Sequence, residues 1–140
     1  MGIEGIDHVA FPVSNASLTL EFYRRLGFEI VGEQEWRSGR APSYAIVCGN
    51  NKINIHPEAM VARRGDPDYR RAPAAEPGCA DLCFVWDGPI TAAVEHLEKL
   101  GIPVEFGPVA RVGGRAGGRG EGTSIYFRDP DQNLLEFLSY

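Results

Sequence analysis

The hydrophobic and polar positions of the chain follow the same order of elements twice. In the first half, residues 6–11 alternate as a half-buried strand does, and residues 18–26 have the apolar spacing of a helix. Gly27 is placed to end that helix in a left-handed conformation. Three further strands are predicted, at 28–33, 43–48 and 52–56.

The second half repeats this order. A strand at 81–86 precedes a helix at 90–100, and Gly101 ends that helix as Gly27 ends the first. Further strands are predicted at 104–106, 124–127 and 133–137. Each half is therefore β-α-β-β-β, which predicts one α+β domain over 1–140, made of two modules at about 4–57 and 78–140.

Two segments lie outside this repeat. Residues 58–78 contain four arginines among several prolines, so we predict a linker with little regular structure. Residues 111–122 contain six glycines and three arginines, a composition that predicts neither a stable helix nor a strand. This second segment is expected to be a disordered loop or a mobile lid.

The composition excludes several classes of function. Fourteen basic and nineteen acidic residues give a net charge of −5, which disfavours a nucleic-acid partner. No run approaches the roughly 20 apolar residues that cross a bilayer, and no leader is apparent, so we expect a cytoplasmic protein without a membrane partner. Three cysteines without paired clusters indicate neither a disulfide framework nor a zinc ribbon.

Four polar side chains lie opposite the apolar face of their predicted strands. They occupy the first and last strands of the two modules, at His8, His56, Asp81 and Glu136. If the modules are related by a pseudo-twofold axis, His8 faces Asp81 and His56 faces Glu136. Two imidazoles and two carboxylates that converge would suit divalent iron, manganese, nickel, cobalt or zinc. The alternative for each residue alone is a solvated polar side chain.

Three motifs resemble the vicinal oxygen chelate superfamily, which includes glyoxalase I, fosfomycin-resistance transferases, bleomycin-resistance proteins and extradiol dioxygenases. They are residues 6–11, 21–28 and 126–136. Residues 51–56 and 77–84 are similar to small glyoxalase-domain proteins, including lactoylglutathione-lyase-like virulence proteins. The resemblance implies paired modules that form a cupped mixed sheet around a metal, often in a homodimer.

The resemblance also implies roles for the four polar residues. His8 matches the first metal ligand and Glu136 the last, while His56 falls where glyoxalase I has a glutamate ligand. Asp81 replaces the histidine of most metal-binding members, so it is a fourth ligand, a partner of a ligand or a base. We expect Glu136 and Asp81 to be the catalytic residues that move a proton.

The expected function is a divalent-metal-dependent lyase, isomerase or dioxygenase acting on a small oxygenated metabolite. Arg111, Arg115 and Arg119 are candidates to close over an anionic substrate, with a solvated mobile loop as the alternative. Aromatic residues that line the cleft, or else pack in the core, are Tyr44, Trp36 and Tyr126. The alternative functions are non-catalytic drug binding of the bleomycin-resistance type and thiol transfer of the fosfomycin-resistance type.

Overall fold

Each half of the chain forms its own four-stranded mixed sheet with one main helix. The computed structural model describes residues 1–140, and its two units are Met1–Cys79 and Ala80–Tyr140. In both units the first and last strands are parallel neighbours, and the remaining pairs are antiparallel. The α+β class and the repeated order of elements are confirmed.

The first unit has strand order β1-β4-β3-β2. Its elements are β1 (His8–Pro12), α1 (Ala16–Leu26), β2 (Glu29–Val31), α2 (Glu33–Arg37), β3 (Ala45–Cys48), β4 (Asn51–His56) and α3 (Glu58–Val61). The apolar face of the sheet supplies Ile46, Ile53 and Ile55 to the core, and α1 supplies Leu20 and Tyr23. Gly27 ends α1 with φ 106°, as the sequence predicts.

The second unit has strand order β5-β8-β7-β6. Its elements are β5 (Asp81–Val85), α4 (Ile90–Leu100), β6 (Phe106–Gly113), α5 (Arg115–Gly118), β7 (Gly120–Arg128) and β8 (Leu134–Ser139). The helix α4 contacts β7 and β8, and Leu97 packs with Ile125, Phe127, Leu135 and Phe137 in the core. The opposite face of this sheet is open.

The glycine-rich segment is ordered, and the prediction that it forms no strand is wrong. Residues 106–113 and 120–128 pair as an antiparallel hairpin, with a tight turn at Arg115–Gly118. A Cβ atom on Gly113 would lie 2.1 Å from the Tyr140 hydroxyl, and one on Gly122 would lie 2.6 Å from a backbone oxygen of Ser139. Glycine is therefore required here because β8 and Tyr140 approach the hairpin backbone closely.

The segment between the modules is also more ordered than its composition predicts. It begins with α3, and Tyr69 within it is 8% exposed. Arg71 donates hydrogen bonds to the Glu76 carboxylate and to the carbonyl oxygens of Pro73 and Ala75. These bonds replace the regular backbone pairing that the prolines prevent, and the whole segment belongs to the first unit.

The five helices are all short, and none is both long and apolar enough to cross a membrane.

Asn15 caps α1, and its removal is expected to destabilise the protein. Its side-chain oxygen accepts a hydrogen bond of 2.9 Å from the backbone N–H of Leu18. Asn15→Ala should lower the free energy of unfolding by about 1 kcal/mol, measured by urea denaturation. Asn15→Asp keeps the acceptor and is expected to retain stability. An alanine variant as stable as the parent would contradict this assignment.

Candidate functional site

A hydrogen-bonded turn between β7 and β8 sets the position of Glu136. The Asp129 Oδ1 atom accepts hydrogen bonds from the backbone N–H groups of Asp131 and Asn133, at 2.9 and 3.0 Å. The Asn133 amide donates to Asp129 Oδ2 at 2.7 Å, and its oxygen accepts from the backbone N–H of Ala80 at 2.8 Å. The turn therefore ties the start of β8 to the start of β5.

This connection fixes the register of the two central strands. Asp81 lies opposite Leu134, and Cys83 lies opposite Glu136. Because alternate residues of a strand point to the same face, Asp81, Cys83 and Glu136 all lie on the open face of the sheet. The Cα atoms of Asp81 and Glu136 are separated diagonally by about 8 Å.

Asp81 and Glu136 line one cavity of about 430 Å³ on this face. Two of the predicted substrate-binding residues, Arg111 and Tyr126, line it as well. The second unit thus brings together four of the predicted site residues. The other residues that line this cavity are Glu105, Phe106, Arg128 and Leu134.

The two arginines of the cavity have different partners. The Arg128 guanidinium donates hydrogen bonds of 2.6 and 3.1 Å to the Glu105 carboxylate and holds the pKa of Glu105 below its ordinary value. Arg111 instead donates to the Tyr126 hydroxyl at 2.9 Å and to a backbone carbonyl, and its guanidinium lies 5.5 Å from the centre of the Tyr126 ring. Arg111 is thus the cation whose charge no carboxylate neutralises, and it could bind an anionic group.

Cys83 is a neighbour of Glu136 that was not singled out as a site residue. Desolvation by nearby protein atoms raises the pKa of its thiol to about 12, and the charge and hydrogen bond of Glu136 add to this effect. Cys83 thus remains a neutral thiol at neutral pH. The strand alternation Asp81, Cys83 and Val85 was the available signal, because it places all three on one face.

His8 lies at the start of β1 and is exposed. Its Nδ1 atom is 2.6 Å from Asp7 Oδ1, so the Asp7 carboxylate accepts the Nδ1 proton. The hydrogen bond with His8 lowers the pKa of Asp7. Because Asp7 engages Nδ1, Nε2 is the ring nitrogen left for another partner, as in metal-binding histidines that have a carboxylate partner. Asp7 was not among the site residues predicted from the sequence, although it is adjacent to His8.

The parallel ladder of the first unit separates His8 from His56. His8 lies opposite Lys52, and His56 lies opposite Pro12. Lys52 and His56 are four residues apart on β4, so the two histidines are separated by about 13 Å along the strands. This unit alone does not bring the two predicted imidazoles together.

The ladders also correct the predicted equivalence of His56 and Glu136. Asp81 lies opposite Leu134, two residues before Glu136. Matching Asp81 to His8 by their ladders therefore matches Glu136 to Asn54, which lies two residues before His56. The error arises because register between strands far apart in sequence is decided by pairing and not by offset.

His56 has a local partner in the segment that follows β4. Its Nδ1 atom is 2.7 Å from the Tyr69 hydroxyl, and both side chains are at least half-buried. Burial lowers the pKa of His56, so the ring accepts the tyrosine proton in its neutral form. This contact anchors the segment over the end of β4.

The remaining predicted site residues lie in two other environments. Tyr44 is 3% exposed, its hydroxyl donates to the Ala16 carbonyl at 2.7 Å, and its ring packs on Trp36, so core packing accounts for it. Trp36 lies on α2 and not on a strand. Arg115 stacks on Tyr140 at 4.4 Å, and Arg119 lies on the exposed turn of the hairpin.

No group of three or more His, Cys, Asp or Glu side chains in the chain is spaced to hold a metal ion. The second unit places two carboxylates on one cavity, and His8 of the first unit is exposed.

Comparison with known proteins identifies the family. The model of the Glyoxalase/Bleomycin resistance protein/Dioxygenase superfamily matches residues 5–137. The chain belongs to this superfamily. The resemblance seen in the three motifs is confirmed.

Several known proteins are similar to this chain over its whole length. Virulence protein STM3117 of Salmonella typhimurium is 39% identical over 141 residues, which cover 100% of this chain and 87% of that protein. Its crystal structure has a TM-score of 0.80 and covers 100% of this chain and 99% of that chain, at 38% identity. Glyoxalase domain-containing protein RDO1 of Mycosarcoma maydis is 36% identical, covering 100% of this chain and 70% of that protein. Integron cassette protein VCH_CASS1 of V. cholerae has a TM-score of 0.80 at 34% identity, covering 100% and 98% of the two chains.

Asn133 is expected to be essential for the stability of the second unit. Asn133→Ala removes a buried hydrogen bond to the Asp129 carboxylate and leaves the Ala80 N–H unsatisfied, which should cost about 3 kcal/mol in the free energy of unfolding. Urea denaturation measures this loss. Gln132→Asn is the control, because asparagine readily adopts the φ of 67° found at that exposed position. A loss in Asn133→Ala as small as in the control would refute the structural role.

Cys83 alkylation provides a pH test of the contact with Glu136. Because its pKa is raised to about 12, Cys83 should react slowly with iodoacetamide at pH 8.5, and its rate should rise as the pH approaches that value. Glu136→Gln removes the charge that helps to raise this pKa, so alkylation in metal-free buffer should be faster. Residue-level mass spectrometry gives the rate, and Glu121→Gln is the control. Equal rates in both variants would exclude the contact.

Proposed function

We propose that this protein is a divalent-metal-dependent enzyme of the lyase, isomerase or dioxygenase type, acting on a small oxygenated metabolite that carries negative charge. The cavity of the second unit supports this proposal most directly, because Asp81 and Glu136 share it with Arg111. Paired carboxylates can bind a cation and move protons, and a guanidinium can hold an anionic substrate beside them.

The proposed ligands are His8, Glu136 and Asp81. They offer imidazole nitrogen and carboxylate oxygen, a donor set that suits iron, manganese, nickel, cobalt or zinc. The contact between Asp7 and His8 Nδ1 supports His8 as a metal ligand, because it leaves the Nε2 atom for the metal. His56 is a weaker fourth candidate, because Tyr69 engages its Nδ1 atom and only Nε2 would remain for a metal.

We infer that the site is completed in a homodimer. Each unit carries part of the proposed ligand set, and proteins of this superfamily often form dimers, so His8 of one copy and the carboxylate pair of the other would form one site. A C2 dimer would then contain two equivalent sites. This arrangement accounts for modules that each carry only part of the ligand set.

The residues of the cavity would have separate roles in substrate binding and proton transfer. A divalent ion held at this site supplies Lewis-acid stabilisation of negative charge on substrate oxygen. Arg111 would bind and orient an anionic oxygen of the substrate. Asp81 or Glu136 would accept a proton from substrate carbon or oxygen and return it to the product.

Non-catalytic binding of a drug-like molecule is the second candidate. The cavity favours it, because Phe106 and Tyr126 offer aromatic surface there. It predicts a protein that binds aromatic ligands without a metal.

Metal content separates these two candidates. Protein purified anaerobically without added metal is expected to hold one divalent ion per chain by elemental analysis, and His8→Ala and Glu136→Gln should each lose it. His56→Ala should reduce the content less. His96→Ala, on α4, is the matched control and should keep the ion. A parent protein that stays metal-free after incubation with iron, manganese, nickel, cobalt or zinc would overturn the enzymatic proposal.

A mixing experiment tests the shared site within the same measurement. His8→Ala and Glu136→Gln proteins, each unable to hold the ion, are unfolded together and refolded. If the ligands come from two chains, a mixed dimer has one intact site, and the metal content should recover to about one ion per mixed dimer. Sites formed within single chains would give no recovery.

A further inference from the structure

A second cavity of about 450 Å³ adjoins the first on the open face of the second unit. Glu136 lines both, so the two cavities meet at this carboxylate. The first is lined mainly by charged side chains. The second contains apolar and aromatic side chains from two strands and from the last residue, namely Val85, Leu138 and Tyr140. Val112 borders this cavity as well, but it follows Arg111 on β6, so its side chain points to the opposite face of the sheet.

Val85 is an exposed apolar side chain of this cavity. It is 56% exposed, whereas Leu138, which lies opposite it in the ladder, is buried and forms the floor. Exposed apolar side chains beside a polar site are typical of ligand-binding surfaces. The position of Val85 on the same face as Glu136 indicates an occupant that also reaches the charged cavity.

Two contacts position Tyr140 in the wall of this cavity. Its hydroxyl accepts a hydrogen bond of 3.1 Å from the backbone N–H of Arg115, and the Arg115 guanidinium lies 4.4 Å from its ring centre. Gly113 and Gly120 admit the ring, because a Cβ atom on Gly113 would lie 2.9 Å from a ring carbon and one on Gly120 would lie 2.7 Å from another. A wall that is already ordered loses little conformational entropy when a ligand binds.

We propose that this apolar cavity binds the hydrocarbon portion, alkyl or aryl, of a substrate whose anionic group lies at Arg111. The proposal rests on the proposed function and specifies its substrate class as amphipathic organic anions. The reacting oxygens would lie near Glu136, between the charged and the apolar cavities. Small, fully hydrated anions would then be poor ligands.

A series of straight-chain carboxylates, from acetate to octanoate, tests this directly. Binding is followed by NMR titration of nitrogen-labelled protein in buffer with chelator, so no metal is required. Affinity is expected to rise about twofold to fourfold per methylene group beyond butanoate, since each added group is removed from water. The backbone amides of Val112, Gly113 and Gly114 should shift most with the longer chains.

Matched variants assign the two parts of the ligand. Val85→Ser should flatten the dependence on chain length, whereas Val112→Ser, on the opposite face of the sheet, should preserve it. Arg111→Gln should weaken every carboxylate by a similar factor and leave that dependence intact. Leu18→Ser, at a 54% exposed position on α1, is the control and should change neither.

Three outcomes would overturn the proposal. They are affinity that does not depend on chain length, a dependence that Val85→Ser preserves, and dissociation of a dimer by Val85→Ser in sedimentation. The last would show that Val85 contacts a second copy of the chain. Because the titration is done without metal, failure here is distinct from failure of the metal proposal, which elemental analysis decides.

Discussion

The turn that Asp129 and Asn133 close is the constraint on which the candidate site depends. Both side chains are buried, and their polar atoms bond to each other and to the backbone at the start of β5. These buried hydrogen bonds favour one pairing register of β5 and β8. A shift of either strand would leave the Asp129 carboxylate or the Ala80 N–H without its partner. The register of β5 and β8, and with it the face on which Glu136 lies, follows from this turn.

The two modules repeat a fold without repeating its chemistry. Their cores are equivalent, with apolar residues at matching ladder positions such as Ile53 and Leu135. Their open faces differ, since the ladder position of Glu136 holds Asn54 in the first module. A core is constrained by packing at every position, whereas an exposed face can change residue by residue at little cost in stability. The modules can therefore carry different functional groups on one scaffold.

Glycine in the β6–β7 hairpin serves packing and not mobility. Gly113, Gly120 and Gly122 lie where Tyr140 and β8 approach the backbone too closely for a side chain. These glycines lower the strand propensity of the segment, but they also allow Tyr140 to line the apolar cavity. Composition alone suggested a loop because propensity describes isolated segments and omits contacts made by distant parts of the chain.

The sequence by itself determined the repeated order of elements, the helix ends at Gly27 and Gly101, the superfamily and the faces of Asp81 and Glu136. These depend on local periodicity, on caps and on motifs, which are written in consecutive residues. Only the tertiary structure decided that Glu136 corresponds to Asn54, that Tyr69 pairs with His56 and that the glycine-rich segment is a hairpin. Each of these depends on pairing or close approach between residues distant in sequence, whose geometry no local pattern records.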